Sequence, residues 1–311
     1  MVNIYKTEEG KLRKLKEIEE DTWIDLVSPT IEEIEEVVKK TKVDADFLKR
    51  LLDSEEIPHI EMGKKSTLIV VHYPYLVDSA YKNKYYIHPL GIIIGSNHFI
   101  TISLKPITLL DEFKENKVKD LFTEKKTRFT FQILYRIASL YQKHLKAIDE
   151  DINNREKHLR KSTKNKELLD LLNIEKTLVY FTTSLKANDI VLDKLSKGTI
   201  LQLFEEDNEI LEDAIIENKQ SIEMANVYRE ILSSMTDTYA TIISNNLNVV
   251  MKFLAGITIV VSVPTMIASF LGMNVNLGFV GSTPYAFLMI VLISVVFSLI
   301  IAHILKDKDM L

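Results

Sequence analysis

Small and polar residues recur at a helical spacing toward the C-terminal end of the sequence. Steps of three or four residues place them on one face of a helix. The members of this stripe are Thr241, Asn245, Asn248, Lys252, Ala255, Thr258, Ser262, Thr265, Ser269 and Gly272. Hydroxyl and amide oxygens aligned in this way could line a water-filled pore built from several copies of the helix. Small residues also let membrane helices pack closely, so the pattern leaves both interpretations open.

The stripe runs through the first of two long apolar segments, residues 253–271 and 286–305. No Asp, Glu, Lys or Arg occurs between residues 253 and 305. A hydrocarbon core of ~30 Å needs about 20 apolar residues per helix, so each segment is long enough to span a membrane. The link between them, residues 272–285, carries Asn274 and Asn276 but no charge.

The distribution of lysines predicts how this hairpin lies in the membrane. Lys252 precedes the first span, whereas Lys306 and Lys308 follow the second. The short link has no Lys or Arg, so the positive-inside rule places it outside and both termini, including the tail 306–311, in the cytoplasm. We therefore expect a protein of the cell membrane with two spans.

Composition narrows the class of function further. The net charge of −5 belongs to residues 1–252, because the two lysines and two aspartates of the tail cancel. An acidic body does not suit nucleic acid, whose binding depends on Lys and Arg neutralising phosphates, but it does suit divalent cations. The absence of cysteine excludes disulfides and thiolate metal sites. No P-loop, GxSxG or HExxH motif is present, so we expect a protein that is not an enzyme.

The rest of the chain changes character near residue 115. Residues 1–115 combine runs rich in β-branched and aromatic residues, at 66–77, 85–95 and 98–104, with helix-start signals, and predict an α/β domain with a mixed sheet. Residues 116–252 predict long helices and a stalk. The predicted helices are 127–161, 165–197 and one that starts near Asp207 and continues to residue 271, a rod of about 100 Å. The fold class is thus an α+β membrane protein whose stalk helix continues into the first span.

The sequence resembles the CorA family of magnesium transporters at a recognisable place. Gly272, Met273 and Asn274 close the first of the two spans, and a Gly-Met-Asn at this position is the signature of that family. Residues 227–260 also resemble the helix that leads from stalk to pore in the family. The resemblance extends from about residue 65 to the end of the chain.

The resemblance implies a funnel-shaped homopentamer with the first-span helices around the pore. It implies that Gly272, Met273 and Asn274 form the selectivity filter, which reads hydrated Mg²⁺ and also Co²⁺ or Ni²⁺. It further implies a set of pore-lining and gate positions: Asn248, Met251, Leu254, Thr258, Ser262 and Thr265. Asp213 falls on the position of a regulatory Mg²⁺ ligand between subunits, and Asp78 is the candidate partner from the sheet domain.

Three departures from the family pattern accompany this resemblance. Leu271 stands where a tyrosine is usual, the link lacks an acidic residue, and the tail reads KDKDML in place of a run of lysines. Two alternatives remain open. One is a zinc transporter on the same fold, whose signature usually replaces the residue at Met273. The other is a membrane-anchored sensor or scaffold that transports nothing, against which the polar stripe argues.

Overall fold

The computed structural model describes residues 1–77, 84–159, 165–273, 285–308 and 310. The chain divides into two compact units, Met1–Ser234 and Met235–Leu311. Two of the long helices that follow the sheet, Lys126–Leu159 and Asn165–Ser196, lie wholly in the first unit. The change of character near residue 115 therefore separates strand-containing from helical sequence, and does not separate two independently packed bodies.

The described part of the first unit contains a seven-stranded mixed sheet. Its strands are β1 (Val2–Glu8), β2 (Lys11–Leu15), β3 (Thr22–Val27), β4 (His59–Met62), β5 (Ser66–Val77), β6 (Lys84–Gly95) and β7 (His98–Ser103). They lie in the order β2-β1-β3-β7-β6-β5-β4. Only the pair β3–β7 is parallel among these neighbours. The three predicted strands match β5, β6 and β7 to within one residue, and the predicted mixed sheet is confirmed.

In the described part of the chain, two helices lie between β3 and β4, and the others follow β7. They are α1 (Ile31–Thr41), α2 (Ala45–Arg50), α3 (Thr108–Lys114), α4 (Lys126–Leu159), α5 (Asn165–Ser196), α6 (Glu205–Leu271) and α7 (Ala286–Asp307). The start of α1 follows from its sequence, because Thr30 accepts a hydrogen bond from the Glu33 amide and the Glu33 carboxylate accepts one from the Thr30 amide. The long helices match the predicted ones with end shifts of one or two residues.

Helices cover both faces of the sheet because its strands alternate their side chains. Ile24 and Ile102 point to one face and pack with α1 and α2 in a fully apolar cluster. Gly91 on β6 lies so close to Leu51, the residue directly after α2, that an added Cβ would clash with the Leu51 side chain. On the other face, Trp23 packs edge-on against Phe129 of α4 at 5.1 Å between ring centroids.

Helix α5 is fixed to the sheet by a side-chain amide that completes strand β5. The backbone N–H of His72 donates to Asn188 Oδ1, and Asn188 Nδ2 donates to the His72 carbonyl, both at 2.8 Å. Strand β4 pairs with β5 as far as Val70. The Asn188 amide therefore satisfies the next backbone groups of β5 in place of a further strand residue.

Partly buried histidines make the stability of this unit depend on pH. Burial, with a smaller contribution from Lys143, lowers the pKa of His144 to about 4. Its ring packs edge-on against Tyr85 at 5.2 Å. As pH falls below ~6.5, the unfolded chain binds a proton that the folded chain resists, so stability is lost progressively between pH ~6.5 and 4. We expect His144 to account for about 3 kcal/mol of that loss.

Denaturant unfolding of the full-length protein, followed by fluorescence, measures this effect. The single tryptophan, Trp23, is fully buried in the first unit and reports its unfolding. His144→Phe keeps an aromatic ring against Tyr85 but cannot titrate, so its stability should fall less than that of wild type on acidification. Identical pH profiles for the two proteins would contradict the prediction. Burial also lowers the pKa values of His72, His88 and His98. Both proteins contain these histidines, so both should keep the part of the pH dependence that these side chains cause.

Candidate ion-conduction site

Two described helices, α6 and α7, are long and apolar enough to cross a membrane. The membrane part of α6 ends at Leu271, where the sequence predicts the end of the first span. Gly272 N–H then donates to the Ala268 carbonyl at 2.9 Å and closes the last turn. Gly272 and Met273 are both exposed directly after this turn. Asn274, the predicted filter residue, lies outside the described residues.

The membrane part of α6 has one shielded face. The less exposed residues of this part of α6 follow a helical spacing. They are Gly256, Val260, Val263, Pro264 and Ile267. Helix α7 has a matching row of less exposed positions, namely Ile290, Ser294, Ser298, Ile301 and Leu305. Since this part of α6 and α7 belong to the same compact unit, we infer that the two helices pack through these rows.

The predicted stripe lies on the opposite side of α6. Thr258, Ser262, Thr265 and Ser269 are all exposed, and each is two residues beyond a shielded position. Two residues correspond to about 200° around a helix. The stripe is therefore not used for packing within the hairpin and is free to face a neighbouring subunit or a pore.

Three of the stripe hydroxyls bond to their own helix. Thr258 donates to the Leu254 carbonyl at 2.8 Å, Ser262 to Ile259 at 2.8 Å and Thr265 to Val261 at 3.1 Å. Each hydroxyl thus uses its proton inside the helix and keeps its oxygen lone pairs facing outward. The surface that results accepts hydrogen bonds. Such a surface suits the outward-pointing hydrogens of water bound to a cation.

The predicted gate residues continue the same face toward the N-terminal side of α6. Asn248, Met251 and Leu254 precede Thr258 at steps of three and four, and all of them are exposed. Met251 and Leu254 are each 57% exposed. On this face of α6, two large apolar side chains therefore come before the acceptor hydroxyls, and both are exposed in the protomer.

Asp213 lies in the first unit, away from the membrane part of α6. It is exposed and lines a cleft of about 430 Å³. The other residues of the cleft are Lys117, Val118, Lys119, Gln132, Tyr135, Arg136 and Ile210. No group of three or more His, Asp or Glu in the described part of the chain is close enough to hold a metal. Asp78, the predicted partner of Asp213, lies outside the described residues.

The cations around Asp213 are the feature that sequence reasoning missed. Lys117 and Lys119 come from the segment after α3, and Arg136 comes from α4, some 80 to 100 positions before Asp213. Nothing in the local pattern of α6 indicates these neighbours. Two other acidic residues of α6 have partners in the structure. Asp207 lies 3.2 Å from Arg128 Nη1, and Glu217 accepts a hydrogen bond from Gln142 at 2.7 Å.

Comparisons with solved structures agree with the architecture described above. The complete structure of the CorA magnesium transporter from Methanocaldococcus jannaschii matches with a TM-score of 0.86 and 27% sequence identity, over 98% of this chain and 96% of that one. The full-length CmaX protein matches with a TM-score of 0.73 over 98% and 97% of the two chains, but at 14% identity, and so shows likeness of fold alone.

Sequence comparisons point the same way. The cobalt/magnesium transport protein CorA of M. jannaschii is 29% identical over 293 residues, which cover 91% of this chain and 89% of that protein. The sequence model of the family described as CorA-like Mg²⁺ transporter protein matches residues 19–306. The resemblance seen at Gly272, Met273 and Asn274 thus extends over nearly the whole chain, which belongs to the CorA-like Mg²⁺ transporter family.

Proposed function

We propose that this chain carries Mg²⁺ across the cell membrane as a homopentameric channel. The observation that carries the proposal is the row of acceptor hydroxyls on α6, exposed opposite the face that packs in the hairpin. Mg²⁺ gives up its water reluctantly, so a fast pathway must handle the hydrated ion. Acceptor oxygens at Thr258, Ser262 and Thr265 bind the hydrogens of that water without stripping it.

The selectivity filter in this proposal is a ring of Asn274 amides, positioned by Gly272 and Met273. The amide oxygens accept hydrogen bonds from the water shell, so the ion is selected by its size and charge. Co²⁺ and Ni²⁺ also favour octahedral oxygen shells and would pass by the same contacts. The M. jannaschii relative is a cobalt/magnesium transport protein, which supports this breadth.

An oligomer is needed because two spans per chain cannot enclose a pore. Apolar side chains on two helices of the first unit support such assembly. On α5 they include Tyr180 and Ile190, 61% and 59% exposed, and on α6 they include Ile216, 60% exposed. Different patches that bind each other head to tail close into a ring. The number five and the funnel shape come from the family resemblance.

Met251 and Leu254 form the gate in this proposal. Five copies of each would narrow the pore with apolar side chains, and such a constriction shuts by losing its water when the helices approach. With both termini in the cytoplasm, the gate lies at the inner end of the pore. Mg²⁺ bound between subunits by Asp213 and Asp78 would favour the closed form.

A flux assay tests the proposal. Purified protein in liposomes loaded with a Mg²⁺-sensitive dye should give uptake that protein-free liposomes lack. Absence of flux would favour the anchored sensor or scaffold. Zn²⁺ flux without Mg²⁺ flux would favour the zinc transporter, against which the presence of Met273 argues.

The stripe can be mapped residue by residue in the same protein. Thr258, Ser262 and Thr265, changed singly to cysteine, should react with water-soluble thiol reagents in the membrane. Val260 and Ile267 lie on the shielded face, and their cysteine variants should react at least ~10-fold more slowly. The absence of native cysteine removes background labelling. Equal labelling of both faces would mean that the stripe serves packing.

A further inference from the structure

A chain of three hydrogen bonds passes through the ring of His72 on β5. Tyr141 of α4 donates its hydroxyl proton to Ser184 Oγ on α5 at 3.0 Å. Ser184 Oγ lies 2.8 Å from His72 Nδ1, and His72 Nε2 lies 2.9 Å from the Glu56 carbonyl oxygen. The ring of His72 thus joins β5 to α4, to α5 and to the segment before β4.

The protons of this chain can be placed from what each atom is able to do. A carbonyl oxygen only accepts, so His72 Nε2 carries a proton. Because Tyr141 donates to Ser184, the Ser184 proton points at His72 Nδ1, which accepts it. Tyr141 and Ser184 are buried, at 0% and 3% exposed. With a neutral imidazole, each of the three hydrogen bonds therefore has one proton.

A second proton on His72 does not fit the same chain. Nδ1 then becomes a donor, and the two hydrogen bonds among Nδ1, Ser184 Oγ and Tyr141 Oη have to share three protons. The neighbouring Thr182 and Thr183 donate to carbonyls of their own helix, whereas Ser184 Oγ makes no such bond among the described residues. One hydroxyl proton is left without an acceptor, and an unpaired buried polar group is strongly disfavoured.

The groups around the ring do not stabilise its charged form. Titratable groups come from each element packed around it: Glu56 from the segment before β4, His59 from β4, His88 from β6, Tyr141 from α4 and Asp189 from α5. The Glu56 carboxylate lies 3.6 Å from His59 Nδ1, and no carboxylate pairs with His72 in the described part of the chain. Burial lowers the pKa of His72; the hydrogen bond to the Glu56 carbonyl opposes this shift, and the charge that His88 can carry adds to it.

Two further attachments lie on the same part of α5. Asn188, one turn after the serine, bonds to the backbone N–H and carbonyl of His72, both at 2.8 Å. Asn218 of α6 is 2% exposed and donates to the Leu185 carbonyl at 3.1 Å and to Asp189 at 3.4 Å. Helix α5 therefore connects the first-unit part of α6 to strand β5.

We propose that His72 is a proton-sensitive latch between the sheet and α5. The neutral ring holds α5 against β5, and a protonated ring does not, so α5 and the part of α6 bonded to it loosen from the sheet in acid. In the open form the ring is hydrated and takes up a proton near pH ~6.5, so the open form gains population as pH falls below that value. The latch lies wholly within Met1–Ser234, so it does not depend on ion conduction.

Hydrogen–deuterium exchange of the full-length protein, resolved by peptide, tests the latch. The parent protein is His144→Phe, because His144 packs on Tyr85, which packs on Phe181 of α5, and its titration would also loosen α5. After correction for the intrinsic effect of pH on exchange, protection of α5 should fall by up to ~20-fold between pH 7 and pH 5. Protection of α1, which this network does not contact, should change by less than ~3-fold.

Three substitutions in this parent separate the ring from its surroundings. His72→Gln can still donate to the Glu56 carbonyl but does not titrate, so the fall in α5 should shrink to less than ~3-fold. His98→Gln makes the same change at a histidine on β7 whose pKa burial also lowers, and it should keep the full fall. Asn188→Ala removes the backbone attachment alone, so protection should be lower at both pH values with the fall unchanged.

The proposal is overturned by an equal loss of protection in α1 and α5 of the parent, because that result would indicate global destabilisation. A full fall in a folded His72→Gln protein would overturn it as well. If His72→Gln does not fold, Asn188→Ala decides, since loss of the pH dependence in that variant would assign the effect to the amide and not to the ring.

Discussion

Mg²⁺ uptake into proteoliposomes is expected to fall to background when Asn274 is replaced by alanine. The change removes every amide of the proposed ring at once. Five hydrogen bonds to the water shell, at about 1 kcal/mol each, correspond to a loss of more than about 1000-fold in binding of the hydrated ion. The link 272–285 has no Asp or Glu, so no neighbouring carboxylate takes over the role.

Two controls make this result specific to the filter. Asn276→Ala removes the same amide two residues further along the link and should leave most of the uptake. Size-exclusion chromatography and cross-linking should show that the Asn274→Ala protein still assembles as wild type does. Uptake near the wild-type level in a fully assembled Asn274→Ala protein would remove Asn274 from the filter.

The long elements of this fold were predictable because their signals are local. The spans lack charge over a stretch much longer than a soluble helix tolerates, and the helices show apolar spacing over many turns. Strands β6 and β7 lie in the interior of the sheet, and so does the part of β5 that pairs with β4. The apolar runs in these strands are typical of buried strands. In each case the sequence of the segment itself indicates that the segment is buried.

The strands that sequence reasoning did not place owe their stability to distant residues. Strand β2 reads Lys-Leu-Arg-Lys-Leu and lies at an edge of the sheet, where charges keep other chains from pairing. Strand β3 is central and contains the fully buried Asp25. That carboxylate accepts a hydrogen bond from Thr101 at 2.9 Å and lies 2.9 Å from Lys114 Nζ. Without those partners an aspartate argues against a buried strand.

The same distinction applies to the candidate site. The spacing of Thr258, Ser262 and Thr265 follows from sequence, and the structure adds that this face is opposite the hairpin contact and presents acceptor oxygens. The side chains around Asp213 could not be inferred from the spacing of residues along one helix. Its cationic neighbours lie on other elements, and a pattern along α6 carries no information about them.

Asp213→Ala is expected to raise roughly tenfold the Mg²⁺ concentration that protects the stalk from protease. In our proposal Mg²⁺ binds between subunits and neutralises carboxylates that would otherwise repel, so bound ion favours the closed form. Millimolar Mg²⁺ should make the wild-type stalk resistant. The exposed Asp213 is a better ligand than Asp207 or Glu217, whose carboxylates are already bound to Arg128 and Gln142.

The cations that line the cleft beside Asp213 would limit such a sensor to millimolar ion. Lys117, Lys119 and Arg136 lower the affinity of Asp213 for a cation within one subunit, so a useful site forms only when a neighbour adds a carboxylate. Affinity for Mg²⁺ is then tied to assembly of the closed interface. Lys119→Gln should therefore lower the Mg²⁺ concentration needed for protection, opposite in sign to Asp213→Ala.

Glu212→Ala is the matched control for both changes, since it removes an exposed carboxylate next to Asp213 but about 100° around the helix. It should titrate like wild type. Identical titrations for Asp213→Ala and wild type would exclude Asp213 as the sensor.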